Sequence, residues 1–418
     1  MNNKIISLIA AMVLGLSAMA ANIKTDREWY LAGEQMKVSV TVYDSQIAYA
    51  ELCDANGLAA STIVGIKDGV GTGTIELPAN LHSGFYALNV YTRNSSEVCN
   101  KLVAVVNTMS KSADDDVEWV KDENTKAVAD GECKFVDVVK TDIPEKEGHM
   151  IKARIKNTYD GKTYRRNQIT PALSIVGMQI HYFEGKMIND TTAVFYVHGI
   201  HGKLPLVLSA VTDTDVSLPI EMVSQFAALL PKALPHLVFH YNRSEVEARS
   251  LEMQRHQMAI APVKRELQIG VFTDEATEEA VPLAYDPSVL GTTPDLTYNL
   301  DEYRQFFTIR EVLLEYVECV RKVKSNGYTQ LIVRRGEDHY NTSLATLVLI
   351  DGMPVIDVER LLSYDARRIH YINIYGGQYT FGNGVYNGIL SFVTRSGQLT
   401  NYPTERNMQY LVYDFPNK

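Results

Sequence analysis

Two histidines, His198 and His201, form the first pattern in this sequence with chemistry to offer. On a helix, an H-x-x-H pair shares one face and can hold a metal ion. Here the pair encloses Gly199 and precedes Gly202, the composition of a turn after a strand, and no carboxylate is spaced as a third ligand. Turn histidines are expected, and no metal is assigned. The acidic run Asp114-Asp115-Asp116, followed by Glu118, Asp122 and Glu123, offers oxygen ligands for calcium. It lacks the glycine and the spacing that shape a loop around that ion, so a solvated linker is expected. The glycines from Gly376 to Gly388 have the composition of a phosphate cradle, yet no helix start follows them to supply N–H groups and a dipole. They read as a flexible loop between strands. No nucleophile elbow, H-E-x-x-H, P-loop or dinucleotide fingerprint occurs. The expectation is a chain that is not an enzyme and carries no catalytic set, cofactor or metal. A hydrolase built on His198, His201 and nearby carboxylates ranks last among the function classes considered.

Length and charge bound what must position any site. The 418 residues allow two to four domains with sizeable cores. A net charge of −10 argues against nucleic acid, because no basic face is available to replace phosphate counterions. Lys4, an apolar run over 5–16 and Ala18-Met19-Ala20 make a secretory signal with cleavage expected after Ala20. The protein is expected to be exported, to the periplasm, the outer membrane or the cell surface. Cys53, Cys99, Cys133 and Cys319 then meet a compartment where disulfides persist. Cys53 with Cys99 is the expected bridge, both falling in one predicted domain; four buried thiols stand as the alternative.

The patterning along the chain is mainly β. Over 35–43, Met36, Val38, Val40 and Val42 alternate with Lys37, Ser39 and Thr41, the period of a strand with one face buried. Further strands are predicted over 47–53, 71–77, 84–92 and 98–106, and turn signals between them predict a β-sandwich. Strand patterning resumes over 134–139, 150–155, 173–181, 192–198 and 204–211, predicting a second sandwich. Between 218 and 300 several prolines break up any long helix, and 220–230 and 245–256 are the best helical pieces. A capping box of Thr308 with Glu311 opens a helix whose apolar stripe runs from Ile309 to Val320.

The most ordered stretch is 347–397. Leu347-Val348-Leu349-Ile350 is a buried strand ended by Asp351-Gly352-Met353-Pro354, where Gly352 can adopt φ > 0 and Pro354 stops the ladder. Asp357 caps a short helix, Ile369, Ile372 and Ile374 lead along a second strand, and the glycine-rich segment precedes a third, Ile389 to Thr394. The order resembles the plug domain of TonB-dependent outer-membrane receptors, with its Asp-Gly-x-Pro turn, Ile-x-x-Ile-x-Ile strand and final Asn-Gly-Ile strand. On that resemblance Asp351, Gly352, Pro354, Ile372, Ile374, Gly388 and Ile389 are scaffold residues. Gln378, Tyr379, Phe381 and Tyr386 on the glycine-rich segment are the candidate contacts, because exposed aromatics commonly anchor interfaces. A receptor barrel is not expected, since 418 − 397 = 21 residues follow Gly397.

Earlier segments carry further resemblances. Tyr30-Leu31-Ala32-Gly33-Glu34 and Gly84-Phe85-Tyr86-Ala87-Leu88 resemble strands of macroglobulin-type domains; Ala32-Gly33-Glu34-Gln35 lacks the thioester cysteine, so no covalent capture is implied. Pro144-Glu145-Lys146-Glu147-Gly148-His149 and Arg249-Ser250 with Gln254 resemble segments ahead of plug-like modules in envelope proteins of the Bacteroidetes type. Asp190-Thr191-Thr192 resembles an O-glycosylation triplet of such bacteria. The expected architecture is multidomain and mainly β. Its segments are a signal peptide (1–20), a macroglobulin-type β-sandwich (21–108), an acidic linker (109–131), a second Ig-like β-sandwich (132–218) and a partly helical connector (219–300). A small α+β plug-like domain (301–400) and a tail (401–418) complete it. The function expected is a non-enzymatic cell-envelope protein whose sandwiches are spacers for an interaction module with protein partners in the envelope. The alternative is an adhesion or assembly subunit binding through its sandwich edges.

Overall fold

Strand Gln35–Thr41 buries every second residue, whereas Ile47–Cys53 and Gly84–Tyr91 are buried at every position. That contrast organises the first of two compact units. The computed structural model describes residues 22–140, 143–266, 283–325, 327–334, 344–399 and 401–417; the expected signal segment lies outside them. Among the described residues no helix is long and apolar enough to cross a membrane.

The first unit comprises described residues up to Gly148 together with Phe226–Pro262 and the extreme C-terminus. A three-stranded sheet (Asn22–Thr25, Gln35–Thr41, Val70–Glu76) faces a five-stranded one in the order Trp29–Leu31, Val98–Val106, Gly84–Tyr91, Ile47–Cys53, Leu58–Gly65. Met36, Val38 and Val40 from one sheet meet Leu52, Tyr86, Leu88 and Val103 from the other in a single core. The outer face of the larger sheet is covered too. Trp29, Leu31, Phe85 and Val106 pack against Leu237, Phe239, Val246 and Met253, and Tyr49 and Tyr91 pack against Val139, Phe226 and Leu229. A sheet buried on both faces has mostly apolar residues on both, which is why 47–53 and 84–91 do not alternate; Glu51 and Asn89 are their buried polar exceptions.

The covering layer corrects two expectations. The acidic segment is not a solvated linker: Val117–Lys121 and Lys126–Asp130 are strands, and His236–Tyr241 lies between them, parallel to the first and antiparallel to the second. His236 Nδ1 pairs with Asp116, and His240 Nδ1 lies 3.0 Å from Asp122 Oδ2, so acidic residues that look like a charge run are partners of a strand remote in sequence. The predicted helix over 220–230 is replaced by strand Ile220–Met222. The helix expected over 245–256 forms and is longer, Arg243–Glu266.

The expected Cys53–Cys99 bridge is corrected as well, because no disulfide joins the two thiols. Cys53 pairs with Ala87 and Cys99 with Val90, on opposite sides of strand Gly84–Tyr91. Two strand spacings of about 4.8 Å already separate them by more than the roughly 7 Å a disulfide tolerates. Cys99 faces the sandwich core, and Cys53 does not. Burial raises both thiol pKa values, that of Cys53 to about 12.

The second unit comprises His149–Gln225 with the later chain to Phe415. Its sandwich has sheets ordered Lys186–Met187, Thr192–Val197, His149–Ile155, Ile220–Met222 and His181–Glu184, Ile169–Ile175, Gly202–Thr212, Gln409–Phe415. The expected tail is therefore a sandwich strand, paired along Gly202–Thr212. The expected connector is no single region either: Ile220–Met222 is a sandwich strand, Leu283–Asp286 pairs with Gly177–Gln179, and Leu296–Asn299 pairs with Ile369–Phe381. The C-terminal α+β module is thus threaded between sandwich strands. Its five-stranded sheet runs Leu296–Asn299, Ile369–Phe381, Gly384–Thr394, Leu347–Ile350, Met353–Pro354. Helices Ile309–Glu315 and Val358–Leu362 cover it, and Val176, Val207 and Tyr410 from the sandwich share its core.

The Thr308/Glu311 capping box forms, with Glu311 N–H donating to Thr308 Oγ1 (3.3 Å) and Thr308 N–H to Glu311 Oε2 (2.9 Å). The helix stops at Glu315, short of the expected stripe, because Val320–Ser325 leaves to form a hairpin with Tyr328–Val333.

Candidate functional site

The Asp351-Gly352 turn is where module and sandwich meet within the second unit. Asp351 takes φ 45° and is fully buried. Its carboxylate accepts from Thr394 N–H (2.7 Å), Thr394 Oγ1–H (2.6 Å) and Leu399 N–H (2.8 Å), which ties strand Leu347–Ile350 to the end of Gly384–Thr394. Those donors favour the ionised form, but burial outweighs them and lifts the pKa to about 6. Gly352 has φ 78°, and a Cβ there would lie 2.7 Å from the Ile175 carbonyl oxygen of the sandwich. Pro354 does not stop the ladder as expected: Met353 and Pro354 pair antiparallel with Ile350 and Leu349, and Val355 N–H continues to the Val348 carbonyl (2.9 Å), because the pairing needs no N–H from residue 354. Asp357 caps the following helix by accepting from Arg360 N–H at 3.2 Å. Ile372, Ile374 and Ile389 are core residues, and Gly388 lies in the last long strand.

The glycine-rich segment is not a mobile loop. Ile369–Phe381 and Gly384–Thr394 are one long hairpin closed at Phe381↔Gly384, with a register shift between Tyr375 and Gln378. Gly382-Asn383 makes the turn, with Gly382 at φ 62°, and this two-residue Gly-Asn pair is the hairpin signal in the sequence. The glycine content answers close packing instead of flexibility. A side chain on Gly384 would land on the Glu184 carboxylate, in strand His181–Glu184. Phe381 is buried, and with Tyr386 it packs around Tyr182 in a small core of its own. Of the expected contact residues, then, Phe381 and Tyr386 fold back onto the sandwich, Tyr379 is half-buried, and Gln378 is exposed. Alanine at 381 or 386 reports on folding and not on contact.

Tyr386 centres a polar cluster beside this core. Its hydroxyl donates to Glu184 Oε2 (3.1 Å) and lies 3.1 Å from the Tyr182 hydroxyl. Burial pushes the Glu184 carboxyl up to about 7, with the Tyr386 hydrogen bond opposing. Folded Glu184 keeps its proton up to that pH, whereas the unfolded chain releases it near 4.5. The native state therefore binds more protons between these values, and its stability falls as pH rises through the window, then levels off. The melting temperature of the second unit is expected to decline from pH 5 to 7 by this contribution. Glu184→Gln should flatten the decline, and Tyr386→Phe should extend it to higher pH.

Beside this hairpin a cleft of about 460 Å³ opens between the sandwich and the module. It is lined by Ala172 and Ser209 of the sandwich, by residues 328–332, by Leu347 and Val348, and by Val355 and Ile356, with Asp213 and Asp215 among its lining residues. Sequence reading missed it, because its lining is drawn from segments separated by more than a hundred residues. His198 is exposed and edge-on to Phe183, and His201 is exposed on the far side of the Gly199 turn. Among the described residues no group of His, Cys, Asp or Glu side chains gathers to hold a metal ion.

In the first unit the two segments singled out for resemblance meet. Arg249 donates through Nε and Nη2 to Glu34 Oε1 and Oε2, both at 2.7 Å, and through Nη2 to the Trp29 carbonyl at 2.9 Å. Its guanidinium lies 3.8 Å over the Trp29 ring. Ser250 Oγ is 2.9 Å from Thr108 Oγ1 and accepts from Gln254. Glu145 of the Pro-Glu segment is buried against the Tyr49 hydroxyl (2.8 Å) and Arg93 (3.5 Å). These conspicuous residues fasten the covering layer.

No family model matches the chain, and no curated protein does either. Among solved structures it is similar to the native Escherichia coli alpha-2-macroglobulin at 11% identity over 50% of this chain and 14% of that one, with a TM-score of 0.19. It is similar to the BSP domain of a biofilm-associated protein at 12% identity over 53% of this chain and 30% of that one (TM-score 0.17). The fibronectin(III)-like modules of Clostridium thermocellum CbhA match at 12% identity over 53% of this chain and 93% of those modules (TM-score 0.15). These neighbours are macroglobulin-like and fibronectin III-like β-sandwich domains, and the chain spans about a seventh of the macroglobulin's length.

Proposed function

We propose that this chain is a non-enzymatic, exported cell-envelope protein whose β-sandwiches present the C-terminal module, plug-like in its element order, to a protein partner. The observation that carries the reading is how that module is mounted. It is inserted between sandwich strands, Gly202–Thr212 before it and Gln409–Phe415 after it pair with each other, and Val176, Val207 and Tyr410 complete its core. A module tied at both ends and sharing a core offers its exposed edges in a fixed orientation, the arrangement by which rigid scaffolds present binding surfaces. Association with outer-membrane transport or assembly machinery belongs to the same proposal.

Crosslinking of intact envelopes followed by purification of the tagged chain tests it. Envelope proteins crosslinked to the second unit, on a mature chain beginning at Ala21, are the expected result. Copies of the chain itself would favour an assembly subunit acting through its sandwiches. An intact Met1 on the folded protein would overturn export, and stoichiometric metal in the purified protein would revive the hydrolase.

A further inference from the structure

We infer that the cleft of the second unit captures an extended polypeptide segment bearing a basic residue, by adding it to the open edge of strand Tyr328–Val333; this rests on the protein-binding reading above. Among the described residues the strand pairs on one side only, with Val320–Ser325. Arg334 N–H donates to the Cys319 carbonyl (2.7 Å), which with the register Val320↔Val333 places the hydrogen-bonded pairs at residues 328, 330, 332 and 334. The N–H and C=O groups of Thr329, Leu331 and Val333 therefore point away from the partner strand. Val333 N–H is taken by Thr346 Oγ1 at 3.1 Å. The outward backbone groups of Thr329 and Leu331 have no partner among the described residues. Across the cleft Val355 N–H turns back to the Val348 carbonyl (2.9 Å), while the backbone of Ile356 is likewise unpartnered among the described residues.

Unpaired strand edges are templates for a further strand, whose alternate side chains then read the pockets on either side. Here those surfaces are apolar at Leu347, Val348 and Val355 and hydroxylic at Ser209 and Thr346. They fit a segment alternating aliphatic and small polar residues. Charge fixes its end. Asp213 and Asp215 line the same cleft, and among the described residues their hydrogen-bond donors from side chains are neutral amides, Gln168 Nε2 and Gln330 Nε2, each at 3.3 Å. Neither is in an ion pair among the described residues. Two carboxylates held in a turn beside an open strand edge complement lysine or arginine on the incoming segment.

The probe is a fluorescent peptide of alternating valine and threonine with two lysines at one end, titrated by anisotropy with the full mature chain. Saturable binding that weakens at high salt is expected. Asp213→Asn with Asp215→Asn should weaken it about fivefold, the worth of two partly exposed charge pairs. Methylating alternate backbone nitrogens of the peptide should weaken it by more than about tenfold, since it removes strand hydrogen bonds while leaving the protein untouched. Equal binding of methylated and unmethylated peptides overturns the inference. Failure of the peptide to bind, with envelope partners still crosslinked to the second unit, also overturns it and leaves the proposed function standing. Peptide capture of the expected pattern with no envelope partner supports the cleft and removes the envelope role.

Discussion

Gly352→Val is expected to destabilise the second unit by about 4 kcal/mol, adding roughly 1–3 kcal/mol for a β-branched residue at positive φ to a similar cost for overpacking. The backbone at 352 has φ 78°, and the new Cβ would press on the Ile175 carbonyl at 2.7 Å and the Gln179 carbonyl at 3.2 Å. Neither neighbour is a flexible side chain: both are backbone atoms of the sandwich, so relief requires moving a strand. The turn cannot open, because Asp351 holds Thr394 and Leu399 from the other side. In a unit of this size such a loss lowers the melting temperature by roughly 8–16 °C. Calorimetry should show the transition of the second unit moving while that of the first stays in place. An unchanged transition would mean the turn is not the junction between module and sandwich. Gly352→Ala isolates what the branched carbons add, since it keeps the close approach and the positive φ without them.

Arg249→Ala should cost the first unit about 3 kcal/mol, the lower end for breaking a buried ion pair. Glu34 stays buried after the change, keeping only the Leu31 N–H (2.8 Å) and Arg27 (3.2 Å). The Trp29 ring loses the cation stacked on it as well. Arg249→Lys should recover little, because an ammonium cannot bridge both carboxylate oxygens and stack on the indole at once. Glu34→Ala combined with Arg249→Ala should be less destabilising than the sum of the two singles. Urea denaturation followed through tryptophan fluorescence reads all four proteins, and strict additivity would show that the pair is not coupled.

Both variants lie at places where composition and context diverge. At 351–354 the residues themselves demanded the result: Asp-Gly before a proline, after four aliphatic residues, has few other conformations open to it, and the turn forms as the residues predict. Around Gly376 to Gly388 the same kind of composition misled. Glycine there is required because strand His181–Glu184 packs against the hairpin, and a glycine that makes room for a remote strand looks in sequence like one that supplies flexibility. The buried Phe381 and Tyr386 follow from the same contact. The cleft was invisible for a related reason. The strand edge it exposes consists of backbone N–H and C=O groups, identical at every residue, and only pairing decides which are left over, while Asp213 and Asp215 are brought to it from more than a hundred residues away.

Local chemistry alone determined the β character of both sandwiches, the alternation of 35–41, the capped helices at Thr308 and Asp357 and the Asp351 turn, because each depends on residues within a few positions of one another. Tertiary structure decided which strand lies beside which. The strand His236–Tyr241 between Val117–Lys121 and Lys126–Asp130, the return of Gln409–Phe415 to a sandwich sheet and the separation of Cys53 from Cys99 all rest on pairings between distant segments. A strand's hydrogen-bonding edge has no side-chain signature, so its partner is chosen by which edges remain open once the hydrophobic faces have packed.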